Sequence, residues 1–296
     1  AALPRSIAIL GAGAIGVEFA SLFGALGSEV TLIELLPTLL PLEDQEIGKT
    51  LERLFVRRGV KVHTGATATS VTVRGDGVTL AVASGEEQVT VDAEYLLIAV
   101  GRGPLSEGLG LEEVGVATER GAVTVDAHFR TTIPNIFAVG DVIGGPYRLA
   151  HVAADEAVHA VETMAGAEAV PMNYMAVPRP TFSIPQVATM GLSEEQAAAQ
   201  GYTVRVGRFN FAANGKAAIE GERDGFVKIV TDGRTGEILG IHMIGPMVTE
   251  LLAEGVVTKY IEGTVAELGT SVHAHPTLSE AMKQAALDAM GRVLDA

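Results

Sequence analysis

The feature that most constrains the fold is a glycine-rich turn at residues 11–16, with the sequence GAGAIG. Residues 6–10 form a short apolar run before it, and apolar residues recur at helical spacing over 14–26 after it. This order predicts a buried parallel strand, a tight turn and a helix whose first N–H groups point back at the turn. Residues 29–34 read as the strand that follows the helix. The N-terminal part therefore contains a strand-helix-strand unit with glycines at its first connection.

Glu34 stands at the end of the second strand, where a dinucleotide site places an acidic residue. Glycines let the backbone approach a pyrophosphate, and the helix N-terminus supplies N–H groups and a positive dipole end. A carboxylate at this place accepts hydrogen bonds from the hydroxyls of an adenine ribose and repels a 2′-phosphate. We therefore predict a dinucleotide site that favours NAD over NADP. A glycine turn that serves only packing would leave Glu34 without a role.

Further alternation of strands and helices predicts a parallel sheet with helices on its faces. The segments concerned are a helix at 43–58, a short strand at 60–63 and an apolar strand at 95–100. Between the last two, residues 66–91 change to a period of two with glycine-containing turns, so an antiparallel meander is predicted there.

The C-terminal part follows a different pattern, after a boundary predicted where three prolines fall between 171 and 180. Ser193 and Gln196 have the spacing of a capping box. Alternating strands are joined by glycine-containing turns and accompanied by helices, which indicates an α+β domain. The strands are predicted at 204–211, 226–231 and 238–244, and the helices at 193–200, 248–262 and 277–290.

Asp141 is a second candidate for chemistry, because it follows an apolar strand predicted at 136–139 and precedes a helix predicted at 151–164. A carboxylate at the carboxyl end of such a strand lies in the crevice where α/β sheets bind ligands, and it suits polyol hydroxyls. The alternative is that Asp141 only caps the turn or helix that follows. Its placement leaves both interpretations open.

A third candidate is the segment 273–281, HAHPTLSEA, in which His275 precedes Glu280. Imidazole titrates near neutral pH, so His275 suits a general acid or base, and Glu280 could hold its other nitrogen. Alternatively, Thr277 and Glu280 form a capping box at the start of the last helix. His273 and His275 would face the same side of an extended segment, but no third metal ligand is near, and no metal site is predicted.

Composition excludes several functions. The chain has 296 residues with 36 acidic and 21 basic ones, for a net charge of −15, which argues against nucleic acid as a partner. It has no cysteine, so it can supply neither a disulfide nor thiol chemistry. The apolar stretch 3–23 contains glycines and Glu18, which suits neither a signal peptide nor a membrane span. We therefore expect a cytoplasmic protein without membrane contact.

Six segments together resemble the pyridine nucleotide-disulfide oxidoreductase family. They are GAGAIGVEFA at 11–20, AVGRGP at 99–104, TTIPNIFAVGDV at 131–142, LAHVAADEA at 149–157, FNFAANGKA at 209–217 and HAHPTLSEA at 273–281. The resemblance implies an α/β fold with three parts. These are a Rossmann-like NAD domain with an antiparallel meander at 1–119, the returning segment of an FAD domain at 120–172, and an α+β dimerisation domain at 173–296.

The resemblance also implies binding residues for both cofactors. Asp141 would bind the FAD ribitol, and backbone groups of Arg148, Leu149, Ala150 and His151 would approach the flavin. The residues implied for NAD are Gly11, Ala12, Gly13, Ala14, Ile15, Gly16, Val17, Glu18, Glu34, Ala68 and Gly101.

For function, the resemblance implies that electrons pass from dihydrolipoamide through a disulfide and FAD to NAD. His275, oriented by Glu280, would be the acid/base that deprotonates the dithiol. This histidine would serve the flavin of the partner subunit, so a homodimer with shared active sites is expected, and a lipoyl domain of a 2-oxo acid dehydrogenase complex is a candidate partner. Because the family's FAD fingerprint and redox disulfide precede the NAD domain, we expect this chain to be the C-terminal two-thirds of such an enzyme.

Two alternatives remain open from the sequence. One is a noncatalytic module that binds NAD and dimerises, since nothing in the chain can undergo thiol exchange. The other keeps the enzyme class but changes the substrate to glutathione, mercuric ion or a second nicotinamide nucleotide. Glu34 argues against the members of the family that depend on NADP.

Overall fold

Four strands of the first hundred residues form the predicted parallel sheet. The computed structural model describes residues 2–85 and 87–292. The elements in the first part are β1 (Ser6–Leu10), α1 (Ala14–Ala25), β2 (Glu29–Ile33), α2 (Gln45–Arg57), β3 (Lys61–His63), β4 (Ala66–Arg74), β5 (Gly77–Ser84), β6 (Glu87–Ala93) and β7 (Tyr95–Ile98). Strands β3, β2, β1 and β7 pair in that order, all in parallel. The strand order reverses at β1, which places a crevice at the carboxyl ends of β1, β2 and β7.

Strands β4, β5 and β6 form a separate antiparallel sheet, as the period of two predicts. Leu80 and Val82 of β5 point into a buried cluster that also contains Ala8 of β1 and Ile33 of β2. One face of the meander therefore packs on the parallel sheet, and its other side chains stay half-buried or exposed.

Helix α1 forms where predicted. The apolar residues whose spacing predicts the helix are exposed, and a different face of the helix is buried. The helix packs on the sheet through small residues, with Gly16, Val17, Ala20 and Ser21 buried. A Cβ on Gly16 would overlap the Gly11 carbonyl oxygen, so only a glycine allows this approach. The apolar residues on the other side are 38–56% exposed, and they are Ile15, Phe19, Leu22 and Leu26.

The chain divides into two compact units, one formed by residues 1–101 with 178–296 and the other by residues 102–177. The second unit contains β8 (Thr118–Glu119), β9 (Ala122–Val123) and α3 (Ala150–Met164). The strand predicted at 136–139 is wrong, because within the described residues only an isolated bridge between Phe137 and Arg130 forms there. An extended apolar run becomes a strand only when another strand pairs with it. A 3-10 helix at Gly140–Ile143 follows directly.

The C-terminal part contains the predicted α+β arrangement, with elements that the sequence pattern did not indicate. Strands β13 and β14 are buried along their whole length, since helices α6 and α8 pack on the C-terminal sheet and α2 also contacts β14. The predicted strands and helices formed, while β10, β11, α5 and α7 were missed. The elements are β10 (Arg179–Thr181), β11 (Gln186–Gly191), α4 (Glu194–Ala199), β12 (Val204–Asn210), α5 (Gly215–Glu220), β13 (Phe226–Asp232), β14 (Ile238–Gly245), α6 (Val248–Tyr260), α7 (Val265–Thr270) and α8 (Glu280–Ala289). The sheet order is β10-β11-β14-β13-β12, antiparallel throughout.

A buried ion cluster joins α2 to this sheet. Lys228 of β13 lies 3.0 Å from Asp44 and 2.9 Å from Glu194, and the Lys228 and Asp44 side chains are 6% and 4% exposed. Asp44 also caps α2 by accepting a hydrogen bond from the Glu46 N–H. Burial opposes ionisation of Asp44, but the charges of His242 and Lys228 and the hydrogen bonds from Lys228 and the Glu46 N–H lower its pKa on balance. The cluster therefore holds full charges, which stabilise the joint only while all partners are present.

We predict that Lys228→Met destabilises this chain by about 3–5 kcal/mol, because Asp44 would then remain buried without its cation. Urea unfolding followed by circular dichroism measures the effect. Lys216→Met is the matched control, since Lys216 pairs with Glu220 at 3.0 Å in an exposed i,i+4 arrangement. Its loss should stay within about 0.5 kcal/mol. Equal losses in the two variants would contradict the role given to the Lys228 cluster.

Candidate functional site

A cleft of about 630 Å³ opens at the carboxyl ends of β1, β2 and β7. The glycine turn forms one wall, the end of β2 a second, and the segments 66–68 and 99–101 a third. Of the residues predicted to bind NAD, those that line the cleft are Gly11, Gly13, Ala14, Glu34, Ala68 and Gly101. The walls are mostly apolar, and Glu34 and Glu43 are the ionisable side chains among the cleft residues.

The three glycines of the turn serve different purposes. Gly11 has φ +94°, and a Cβ there would overlap the Ala99 carbonyl oxygen, so it is needed for the turn itself. Gly16 allows the contact between α1 and the turn. Gly13 has an ordinary φ of −67°, and a Cβ on it would meet nothing within 4 Å. No packing among the described residues accounts for a glycine at 13, whereas a ligand lying against the backbone does.

The helix N-terminus at this turn fits an anion. Gly13 is the N-cap of α1, no side chain of the described residues caps the helix, and its first turn contains no acidic residue. The first N–H groups of a helix have no partner inside it, and the positive end of its dipole lies there. The turn can therefore hold a pyrophosphate by backbone groups, so the residues present fit the nucleotide that the sequence predicts.

Glu34 is both a wall of the cleft and a brace for the turn. Its carboxylate accepts hydrogen bonds from the Ala12 N–H at 2.6 Å and the Leu36 N–H at 2.8 Å. The residue is only 7% exposed. Each carboxylate oxygen keeps lone pairs for further donors, so the same group can accept ribose hydroxyls. The sequence predicts that Glu34 lies near the glycine turn. It does not predict that the Glu34 carboxylate supports the turn through the Ala12 N–H.

The other predicted NAD residues lie outside the cleft. Ala12, Gly16 and Val17 are buried behind its wall, and Ile15 is 40% exposed. Glu18 accepts a hydrogen bond from the Phe182 N–H at 2.8 Å, so it links α1 to the segment after β10.

Glu43 and Thr181 line the cleft although sequence reasoning missed them. Arg179 holds the Glu43 carboxylate through Nη2 at 2.9 Å and Nε at 3.1 Å, and the Thr189 hydroxyl donates to it at 2.5 Å. These partners lie far away in the chain, so no local pattern could have revealed the contact. The C-terminal sheet therefore fixes one edge of the cleft.

In the unit of residues 102–177, Asp141 lies in the 3-10 helix after the glycine. Its carboxylate is 3.2 Å from Arg102 Nη1, and Arg102 Nη2 donates to the Arg148 carbonyl oxygen at 2.8 Å. Arg102 thus connects the two segments that the sequence assigns to FAD. The Asp141 side chain is 43% exposed and can still accept hydrogen bonds from hydroxyl groups.

Glu156 supports the segment that carries Asp141. It is 1% exposed and accepts hydrogen bonds from the Gly140 N–H and the Tyr174 hydroxyl, both at 2.7 Å. Burial and the bond to Glu156 raise the pKa of Tyr174, so this hydroxyl stays a donor. Glu156 and Tyr174 were not among the predicted residues, because neither belongs to a motif that touches a ligand.

Helix α3 begins at Ala150, with Leu149 as its N-cap and no capping side chain. His151 is exposed in the first turn of this helix. The Nε of Arg148 is buried and has no hydrogen-bond partner among the described residues. An uncapped helix start beside an unsatisfied donor fits a ligand that carries oxygen acceptors. The predicted residues 148–151 and Asp141 therefore fit a part of FAD.

His275 and Glu280 form a hydrogen-bonded pair. The His275 Nδ1 is 3.0 Å from Glu280 Oε1, and the Thr277 N–H donates to Glu280 Oε2 at 2.9 Å. Burial opposes ionisation of Glu280, but these bonds and the charges of His275 and His273 lower its pKa on balance. An ionised carboxylate keeps the proton of a neutral imidazole on Nδ1, which leaves Nε2 free to accept a proton. The His275 side chain is 77% exposed.

The capping alternative is realised only in part. Helix α8 begins at Glu280 rather than at Thr277, and the Thr277 hydroxyl donates to the Ala274 carbonyl oxygen. Glu280 therefore satisfies one backbone N–H and holds His275 with the same carboxylate. Asn214, which caps α5, also donates to the Thr277 carbonyl oxygen at 3.0 Å and so supports the loop from another element.

Residues 2–85 and 87–292 contain no helix long and apolar enough to cross a membrane. No group of three or more histidine, cysteine, aspartate or glutamate side chains is arranged to hold a metal ion among these residues.

Two family models match the chain. The model described as pyridine nucleotide-disulphide oxidoreductase matches residues 1–157. The dimerisation domain of the same family matches residues 177–286. The chain belongs to the pyridine nucleotide-disulphide oxidoreductase family.

Curated relatives narrow the comparison to dihydrolipoyl dehydrogenases. The chain is 44% identical to the dihydrolipoyl dehydrogenase of Bacillus subtilis over 99% of its own length and 62% of the relative's. It is 45% identical to that of Rhizobium etli over its full length, again 62% of the relative's. The chain thus spans about 62% of the length of these relatives. Dihydrolipoyl dehydrogenases use FAD and NAD.

Solved structures agree. LpdA from Mycobacterium tuberculosis superposes with a TM-score of 0.87 at 32% identity, over 96% of this chain and 61% of that one. The HOCl-induced flavoprotein disulfide reductase RclA from Escherichia coli gives 0.88 at 29% identity, over 96% and 65%. The fold is therefore that of flavoprotein disulfide reductases.

We predict that Gly13→Ala changes the stability of this chain by no more than about 1 kcal/mol, because the new Cβ meets no atom of the described residues. The affinity for NADH should fall at least about tenfold, because the methyl group occupies space that the pyrophosphate needs. Fluorescence titration with NADH and urea unfolding measure the two effects. Gly16→Ala is the matched control and should unfold far more easily, since its Cβ overlaps the Gly11 carbonyl oxygen. An unchanged NADH affinity in Gly13→Ala would contradict the placement of the nucleotide.

Proposed function

We propose that this chain is the C-terminal part of a dihydrolipoyl dehydrogenase, which oxidises dihydrolipoamide to lipoamide with NAD as the electron acceptor. The observation that carries the proposal is the His275–Glu280 pair, whose free Nε2 is exposed while Nδ1 is held at 3.0 Å. The identity of 44–45% to dihydrolipoyl dehydrogenases supports the choice of substrate.

In this proposal the residues of the cleft bind NAD. The glycine turn and the N-terminus of α1 hold the pyrophosphate, and Glu34 accepts the ribose hydroxyls. Ala68 and Gly101 contact the nucleotide from the opposite wall. Val17, which is buried, and Glu18, which accepts the Phe182 N–H, keep the helix in place, and Ile15 acts on the nucleotide through its backbone at the start of α1.

The residues of the second unit bind a part of FAD. Asp141 binds the ribitol, held in position by Arg102, and backbone groups of Arg148, Leu149, Ala150 and His151 approach the flavin at the start of α3. When bound, FAD supplies the two-electron transfer between the dithiol–disulfide couple and the nicotinamide. The chain's own contribution here is binding and orientation, since it has no cysteine.

His275 moves the proton. Its Nε2 takes a proton from a thiol of the substrate, and the resulting thiolate is the nucleophile for disulfide exchange. Glu280 holds the Nδ1–H, fixes the orientation of the ring and stabilises the imidazolium that forms. Residues 275–280 thus contain both groups that this proton transfer needs. The substrate must be brought to the His275 Nε2.

The assembly follows from the family. We assign 1–119 to the NAD domain, 120–172 to the FAD domain and 173–296 to the dimer interface, with a homodimer in which His275 serves the partner's flavin. A lipoyl domain of a 2-oxo acid dehydrogenase complex would present the dithiol. The expected cytoplasmic location belongs to the same proposal.

The proposal is tested on the product of the complete gene. His275→Ala should lower dihydrolipoamide oxidation by about 10²–10⁴-fold, because the thiol loses its base. NADH oxidation by ferricyanide should stay within about twofold, since that reaction needs no proton transfer at a thiol. His63→Ala is the control and should leave both rates unchanged. Equal losses in both reactions would return His275 to a structural role.

A separate prediction concerns the nucleotide. The unmodified chain should bind NADH and not NADPH, and Glu34→Ala should narrow this preference by at least about tenfold, because the repulsion of a 2′-phosphate is lost. The turn should also lose stability by about 1–3 kcal/mol, since the Ala12 N–H loses its acceptor. Titrations with both nucleotides measure the preference. Equal affinity in the unmodified chain would defeat the role of Glu34.

A second candidate function is a related disulfide reductase, which the superposition on RclA favours. The two candidate functions differ in substrate. A dihydrolipoyl dehydrogenase oxidises a dithiol, whereas a related reductase reduces a disulfide or a metal ion. Assays of the complete gene product with dihydrolipoamide, glutathione disulfide and mercuric ion separate them. A product without a redox-active cysteine pair would instead support the noncatalytic NAD-binding module.

A further inference from the structure

A second histidine–carboxylate pair lies two residues before His275. The His273 Nε2 is 2.7 Å from Glu254 Oε1 of α6, and its Nδ1 is 3.1 Å from the Ser271 carbonyl oxygen. The His273 side chain is only 7% exposed. The proton chemistry proposed above gives this pair no part.

Both nitrogen atoms of the His273 ring face groups that can only accept a hydrogen bond. A carbonyl oxygen carries no proton, and neither does an ionised carboxylate. A neutral imidazole donates from one nitrogen only, so one contact would bring two lone pairs together in a buried place. An imidazolium donates at both nitrogens and forms a charge-assisted bond to Glu254. Imidazole is the stronger base of the two groups, so the additional proton belongs on the ring.

The surroundings of His273 suit a positive charge. Ser271 directly follows α7, whose last carbonyl groups form the negative end of the helix dipole. Lys283 of α8 donates to the same Ser271 carbonyl oxygen at 2.9 Å, and its positive charge opposes that of an imidazolium. The carboxylates that face the ring are Glu254, in contact, and Glu280, close enough for an electrostatic interaction.

The position of His275 depends on the backbone on either side of it. Its side chain is exposed, and its described hydrogen bonds go only to Glu280. On the C-terminal side, Thr277 is fixed by Glu280 and by Asn214. On the N-terminal side, the Thr277 hydroxyl holds the Ala274 carbonyl oxygen, and the His273 side chain connects the backbone to α6.

We propose that His273 is a positioning residue, an imidazolium held between Glu254 and the Ser271 carbonyl that fixes the backbone carrying His275. Its effect on catalysis rests on the proposed function. Its protonation does not, because that follows from the hydrogen-bond partners alone.

The catalytic part is tested with Glu254→Gln and His273→Gln in the complete gene product. Each should lower kcat for dihydrolipoamide oxidation about tenfold, because a small displacement of a base is costly. The KM for NAD and the NADH–ferricyanide rate should stay within about twofold, since neither depends on His275. Glu250→Gln removes an exposed carboxylate one turn earlier in α6 and should behave as the unmodified protein. Unchanged dihydrolipoamide oxidation in both variants would overturn the positioning role.

Histidine nitrogen signals in NMR test the protonation independently of activity. The unmodified protein should show both nitrogens of His273 protonated near neutral pH, and Glu254→Gln should show one. A neutral His273 in the unmodified protein would overturn the inference. If the protein oxidises no dihydrolipoamide at all, the proposed function fails, while the nitrogen signals still decide the state of His273. Glu254→Gln keeps the test available if His273→Gln does not fold.

Discussion

The contact between the Gly11 carbonyl and Gly16 is the constraint on which the cleft depends. A Cβ on Gly16 would overlap the Gly11 carbonyl oxygen and push α1 away from the turn, and a Cβ on Gly11 would overlap the Ala99 carbonyl oxygen. With both glycines in place, the start of α1 lines the cleft at the carboxyl ends of β1 and β2, and the first N–H groups of a helix have no partner inside it. Gly13 then lies at the surface with free space in front of it. Packing fixes two of the glycines, and the third leaves room for a ligand.

Carboxylate side chains hold several parts of the structure in place, and some of them make two kinds of contact at once. Glu34 supports the glycine turn and offers acceptors to the cleft. Asp44 caps α2 and pairs with Lys228. Glu280 satisfies the Thr277 N–H and holds His275. A carboxylate has about four lone-pair sites, so it can hold the protein backbone and still act on a ligand or another side chain.

Local patterns predicted most elements of the first hundred residues, because apolar periodicity and glycines act over short distances. The same reasoning failed at 136–139, where an apolar run has no partner strand among the described residues. It also missed β10 and β11, since the first has a proline at its centre and both are defined by pairing with distant strands. For α1 the apolar period correctly predicted a helix, but it did not predict the buried face, which contains the small residues that let the helix approach the turn.

The sequence by itself determined the chemistry that is available. It placed glycines at a turn, an acid after the next strand and a histidine five residues before a glutamate, and it withheld cysteine. Only the tertiary structure decided which groups meet. Arg179 reaches Glu43 across 136 positions, and Glu254 reaches His273 across 19, so their pairing depends on how sheets and helices pack. Residue type fixes what a side chain can donate or accept, but a hydrogen bond needs a distance near 3 Å, which only the folded chain sets.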